Sequence, residues 1–218
     1  MARTLASAVL ALALSAGAGQ GHPHIFVDTS LRLDFDAAGR LTGIRVTWVY
    51  DAFYSLVILQ DRGLDPDYDG RLTTGERESL AGFDLNWSGS FDGALHPALG
   101  GAELALGPPE GAAADVLGGR IVSTHLRPLA APVDPGAQPL RVAVYDPGFY
   151  ASYSLVGPAE FRGRDDCAAQ VALPDLDAAD RAFQAELAMI GPEVSIEDDF
   201  PEVGHLFAEA AVIACAAR

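Results

Sequence analysis

The sequence predicts an α+β fold: an antiparallel β-sheet with an inserted helix–loop–helix and helices toward the C-terminus. Three stretches predict it. Residues 25–35 and 41–50 alternate apolar and polar side chains with period two, as half-buried strands do. Residues 51–82 place an acidic, glycine-containing loop between two segments of helical spacing. Residues 175–189 repeat apolar side chains at helical intervals behind an aspartate suited to cap them.

In the first strand Ile25, Val27, Leu31, Leu33 and Phe35 share one face. In the second, Ile44, Val46, Trp48 and Tyr50 do. Matching these faces pairs Leu33 with Ile44, Leu31 with Val46 and Val27 with Tyr50, across a four-residue turn at 37–40. Phe53, Leu56, Val57 and Leu59 then mark the apolar side of an entering helix over 51–60. Thr74 to Ala81 forms the leaving helix, stopped by Gly82. Gly, Pro and Ala dominate 89–119, which reads as loops with one candidate strand at 103–106. Strands are expected at 120–126, 140–145, 150–156 and within 161–173. Asp146-Pro147-Gly148 has the residue order of a type II turn. The 175–189 helix should bury Leu176, Ala179, Phe183 and Leu187. An acidic loop at 193–199, a helix at 203–211 and a short strand at 212–215 complete the chain.

The segment from Asp65 to Glu76 carries the most chemistry. Its spacing is that of an EF-hand calcium loop, which needs oxygens at positions 1, 3, 5, 7, 9 and 12 and glycine at position 6. Asp65, Asp67 and Asp69 supply carboxylates, Arg71 its carbonyl, Thr73 a hydroxyl, and Glu76 both carboxylate oxygens. Gly70 stands at the sharp turn and Leu72 in the apolar anchoring slot. Pro66, Tyr68 and Arg77 depart from the usual pattern.

The chain has 218 residues, half of them hydrophobic, so it is long enough for one domain with a sizeable core. Its net charge is −16, and all 14 basic residues are arginine. Such a balance suits divalent cations and argues against a nucleic-acid partner. Residues 1–21 read as a secretory signal: Arg3, an apolar run from Leu5 to Leu14, then small residues with cleavage after Ala18 or Gly21. No later stretch is apolar and long enough to span a bilayer. The expected mature chain is therefore one periplasmic α+β domain, 22–218, with its insertion at about 51–82. In an oxidising compartment Cys167 and Cys215 should form a disulfide, closing a loop of roughly 49 residues worth about 4 kcal/mol.

His22 and His24 flank Pro23, and two residues apart on a strand they point the same way, toward one zinc, nickel or copper ion. Further ligands are sought in Asp51, beside His24 in the hairpin register, and in His125 and Asp146 at strand ends. His96 and His205 are assigned no role. Cleavage after Gly21 would leave His22 as the first residue, similar to the histidine brace of oxidative copper enzymes. No nucleophile elbow, phosphate loop or zinc-protease helix is present, and no catalytic residue is assigned.

The run His22-Pro23-His24-Ile25-Phe26-Val27-Asp28, the loop 65–76, the segment Tyr145-Asp146-Pro147-Gly148-Phe149-Tyr150, and the stretch from Gly204 to Cys215 together resemble a bacterial family of unknown function. That family is labelled the periplasmic component of an uncharacterised ABC-type transport system. The resemblance implies a role beside nickel, cobalt or zinc transporters, near which members are often encoded. The leading expectation is thus a metal-binding accessory protein for a transition-metal permease, with a structural calcium loop. A copper oxidase or oxygenase built on His22 is the first alternative. A calcium-stabilised interaction module is the second.

Overall fold

The computed structural model describes residues 23–87, 91–190 and 201–216. The signal region, His22 and the acidic 193–199 segment lie outside them.

The fold is α+β, built on two sheets rather than one. Strands β1 (Ile25–Phe35) and β2 (Leu41–Tyr50) form the predicted hairpin, with Leu33 opposite Ile44, Leu31 opposite Val46 and Val27 opposite Tyr50. Helices α1 (Ala52–Arg62) and α2 (Thr74–Leu80) follow. Next come β3 (Leu95–Leu99), β4 (Ala102–Glu103), β5 (Glu110–Leu117), β6 (Arg120–Val133), β7 (Leu140–Val144), β8 (Ala151–Leu155), β9 (Glu160–Arg162) and β10 (Cys167–Ala172). Helix α3 (Leu176–Met189), a 3-10 turn (Gly204–Phe207) and β11 (Glu209–Cys215) end the described chain. One sheet has the order β5-β6-β2-β1-β8, with β9 also on β1; the other runs β10-β11-β7-β3-β4. Pairing is antiparallel except along β1, which takes β8 and β9 as successive parallel partners.

Both sheets feed one hydrophobic core. Val27, Leu31, Leu33, Ile44, Val46 and Trp48 from the first meet Leu95, Leu140, Val142, Val144, Ala211 and Ile213 from the second. Cys167 and Cys215 face each other across the β10–β11 pair and are bonded, with Cα atoms 4.0 Å apart.

Several local expectations are corrected. The Gly/Pro/Ala stretch 89–119 holds three strands, because β3 and β5 find partners in β7 and β6 that local composition does not reveal. The expected helix at 203–211 is one 3-10 turn, and β11 already starts at Glu209, held between β10 and β7. Backbone pairing on both sides outweighs the helix propensity of its alanines. Within the Asp146 turn, Phe149 and not Gly148 takes the positive φ, at 53°, so the turn is not type II. Helix α3 buries Ala179 fully, while Leu176 is 64 % exposed. Helix α1 turns Ser55 and Leu59 inward and leaves Phe53 and Leu56 outside.

Candidate functional site

Local rules hold the helix–loop–helix together. Asp51 caps α1 by accepting the Tyr54 N–H at 2.8 Å, and its other oxygen accepts the Phe26 N–H at 3.0 Å. Gly63 ends α1 in the left-handed region. Leu64 and Leu72 are buried on either side of the loop and fix it to the core. Thr73 caps α2 in a reciprocal box with Glu76: Glu76 N–H to Thr73 Oγ1 is 3.3 Å, and Thr73 N–H to Glu76 Oε2 is 2.8 Å. The Thr73 and Asp65 backbone N–H groups hold the Glu76 carboxyl below its ordinary range. Arg77, out of place for an apolar slot, donates to the Leu72 carbonyl and pairs with Asp115 of β5 at 3.8 Å.

The loop's oxygens converge. Asp65, Asp67 and Asp69 each offer a carboxylate oxygen, all within 4.8 Å of one another. Gly70 has φ +73°. Asp65 is buried, and its carboxylate accepts the N–H groups of Asp69 and Gly70 at 3.1–3.3 Å. Asp65 and Tyr68 also take positive φ, 49° and 56°, costing roughly 1 kcal/mol or more each. Thr73 and Glu76 line the same cleft as Asp67 and Asp69. Three carboxylates so close repel one another; a hard divalent cation relieves that repulsion, and the donor set is all oxygen.

The proposed transition-metal residues do not all meet. His24 is exposed at the start of β1, its N–H donating to the Tyr150 carbonyl and its ring 4.9 Å from the Tyr150 ring. Asp146 lies on the same turn, its carboxylate accepting N–H groups from Gly148, Tyr150 and Ala151. Asp51 is close to this end, through its bond to Phe26. His125 is elsewhere. It lies opposite Val46, which lies opposite Leu31, seven residues along β1 from His24, roughly 23 Å at about 3.3 Å per residue. It is 1 % exposed and cannot join a site at His24.

His125 instead belongs to an interior polar row that sequence reasoning missed. Ser123, His125 and Arg127 all point inward from β6. Asp84 accepts the Tyr50 hydroxyl at 2.8 Å and the Ser123 hydroxyl. Arg127 donates to the carbonyls of Gly107 and Asp92 at 2.9 and 2.7 Å, pairs with the Asp92 carboxylate at 3.3 Å, and carries Trp87 on its face. The His125 ring is wedged edge-on between Trp48 and Trp87, and its Nε2 has no hydrogen-bond partner among the described residues. Burial first, then the charges of Arg127 and Arg45, push its pKa down to about 4. The same burial, with Asp84 alongside, raises the Tyr50 hydroxyl. The signal was the alternate face of 121–129, which reads Ile, Ser, His, Arg, Leu, polar at three places where a core-facing strand is ordinarily apolar.

A family model described as "Protein of unknown function (DUF1007)" matches residues 7–215. No curated protein matches the chain. Among solved structures, acetylcholine-binding protein type 1 from Biomphalaria glabrata is similar at 11 % identity, over 94 % of this chain and 91 % of that one. The TM-score of that likeness is 0.34. Among the described residues no helix is long and apolar enough to cross a membrane.

Proposed function

The chain belongs to the DUF1007 family, and from that premise we propose an extracytoplasmic metal-binding accessory protein whose loop from Asp65 to Glu76 binds calcium in the EF-hand manner. One observation carries the calcium reading: three aspartate oxygens within 4.8 Å, on a loop whose Gly70 takes the left-handed turn and whose Thr73–Glu76 box starts the leaving helix. Asp65, Asp67, Asp69, the Arg71 carbonyl, Thr73 and Glu76 are the ligands. The disulfide suits an oxidising compartment, which supports a periplasmic location.

Calorimetry on the mature protein tests the reading. Calcium should bind with Kd of roughly 10⁻⁵ to 10⁻³ M, and Glu76→Gln should weaken it at least about tenfold by removing a bidentate charge. At a hundredfold excess over Kd, calcium should stabilise the fold by about 2.7 kcal/mol. No calcium heat, with a melt indifferent to chelator, refutes it.

The accessory role in nickel, cobalt or zinc transport rests on His22-Pro23-His24 and on the place of His24 beside the Asp146 turn at Tyr150. In this reading the two histidines hold a zinc, nickel or copper ion, with Asp146 or Asp51 as a further ligand, and pass it to an inner-membrane permease. Titration with each metal, calcium kept saturating, should show binding that His22→Ala with His24→Ala abolishes. Equal binding by that double variant leaves a calcium-stabilised interaction module. Substrate oxidation by the copper-loaded protein would instead favour the histidine-brace enzyme.

A further inference from the structure

A cavity of about 320 Å³ opens where β8, the end strand of one sheet, meets the residues that follow β10, the end strand of the other. Phe149, Phe207, Leu173 and Leu176 make part of its lining apolar. Ser152, Ser154 and Glu209 make the rest polar. Leu173 and Leu176 are 74 % and 64 % exposed, and large apolar side chains left together in water mark a binding site better than scattered ones do.

The aromatic wall is held in place at a cost. Phe149 has a φ of 53°, although Gly148 beside it could take such a conformation freely. The turn is clamped. The Asp146 carboxylate accepts the N–H groups of Gly148, Tyr150 and Ala151, and Gly204 lies so close that an added Cβ would overlap the Asp146 carbonyl. The Phe149 ring is thereby set on Phe207, with centroids 4.7 Å apart and planes at 16°, and Phe183 meets Phe207 edge-on. The carboxylate is fixed too. Glu209 reaches from β11 to accept the Leu155 N–H of β8 at 2.7 Å through Oε2, and its Oε1 accepts no hydrogen bond among the described residues.

We propose that this cavity binds a small organic cation, a protonated amine on an aromatic or aliphatic body. The site shares no residue with the loop from Asp65 to Glu76. Among the described residues Glu209 is the one charged group in the lining. Nothing nearby offsets it: residues 146–155, 173–189 and 202–215, which form the walls, hold seven carboxylates and one arginine, the exposed Arg181. The α3 N-terminus, whose N–H groups favour an anion, is answered by Asp175, which accepts the Ala178 N–H, and by Asp177 in the first turn. An anionic ligand is therefore repelled. The ammonium group meets the Glu209 carboxylate and the serine hydroxyls, and the apolar body covers Leu173, Leu176 and the phenylalanine pair. Ligand sites run from about 300 to 1,000 Å³, so a cavity at the lower end takes a compact amine.

Phenethylamine is the probe. Phenethyl alcohol, its neutral analogue, and hydrocinnamate, its anionic one, are the controls. Each is titrated into the mature protein at neutral pH, in chelator so that no metal ion takes part, and followed by calorimetry and by amide NMR shifts. Phenethylamine should bind at least about tenfold more tightly than the alcohol, the worth of one hydrogen bond to a charged group, and hydrocinnamate should not bind. Shifts should cluster at Ser152, Ser154 and Glu209. Glu209→Gln keeps an acceptor for the Leu155 N–H, and it should bring the amine down to the affinity of the alcohol while leaving the alcohol unchanged. Leu176→Ala, at an exposed position, should weaken amine and alcohol alike, by roughly fivefold. The proposal is overturned if the amine does not bind, if the three probes bind equally, or if the shifts map elsewhere. It is also overturned if Glu209→Gln binds the amine as the wild type does.

Discussion

His125 sets a stability window that can be calculated. Its ring is 1 % exposed, between two tryptophans and near two arginines, with no acceptor on Nε2 among the described residues. The folded protein therefore holds it neutral down to about pH 4, against an ordinary value of 6.5. In the unfolded chain the same imidazole takes up a proton from pH 6.5 downward. Stability from this group is complete above 6.5, declines as pH falls toward 4, and levels off below it. At about 1.4 kcal/mol per decade of proton affinity, the loss across the window is about 3 kcal/mol. For a domain of this size that lowers Tm by roughly 6–12 °C. Urea unfolding between pH 7 and pH 4, in chelator so that no bound cation contributes, measures it. His125→Leu removes both the titrating group and the unpartnered nitrogen, and its midpoint should fall less steeply over the same range. Contributions common to both proteins cancel in the difference. Parallel pH profiles for the wild type and the variant would refute the reasoning.

The remaining predictions concern the loop and the core. Leu72→Ala should cost about 2–5 kcal/mol in chemical denaturation and weaken calcium binding, because Leu72 is 4 % exposed and anchors the loop. Thr73→Ala removes the α2 cap and should cost about 1 kcal/mol, read in the same melts. A methyl group at Gly93 would overlap the Trp87 indole and the Arg127 guanidinium at a φ of +81°, so Gly93→Ala should lower Tm by more than Gly101→Ala, where nothing lies within 4 Å. Reducing the Cys167–Cys215 bond should cost about 4 kcal/mol, seen as a lower urea midpoint in dithiothreitol.

The parts legible in the sequence are those fixed by short-range rules. The β1–β2 register followed from matching two alternating faces, and the cap at Asp175 from a side chain that satisfies a helix N–H group; the caps at Asp51 and Thr73, residues read only as metal ligands, came from the structure. What escaped depends on distant partners. The alternation of β1 does not reveal that β8 and β9 pair with it in parallel, more than a hundred residues later. Of β11 only 212–215 read as a strand; its alanine-rich start, from Glu209 to Ala211, has no strand signature of its own, only neighbours on both sides. The polar row on β6 was illegible for the same reason. Ser123 and Arg127 are compatible with the interior only because Asp84 and Asp92 arrive from a segment without regular structure. The apolar residues of α1 misled in the opposite sense: helical spacing was right, but the buried face passes through Ser55, whose hydroxyl accepts the Ile121 N–H at 2.9 Å.

That last contact shows how ion binding can reach the core. The helix–loop–helix unit begins just after Tyr50 and ends just before Asp84, and the bond from the Tyr50 hydroxyl to the Asp84 carboxylate joins its two ends at 2.8 Å. Ser55 ties α1 to β6, and Arg120 at the start of β6 donates to the carbonyls of Tyr50 and Val49. An ion that orders the loop would therefore bear on two helices, α1 tied to β6 through Ser55 and α2 packed against β5. Tyr50→Phe deletes the hydroxyl that closes the unit without altering any loop ligand. If the closure transmits the ion's effect, calcium should stabilise the variant less than the wild type, by about 0.5–1.5 kcal/mol, the range of one hydrogen bond. Equal calcium stabilisation of both proteins in paired melts would mean that the loop and the polar row are energetically separate.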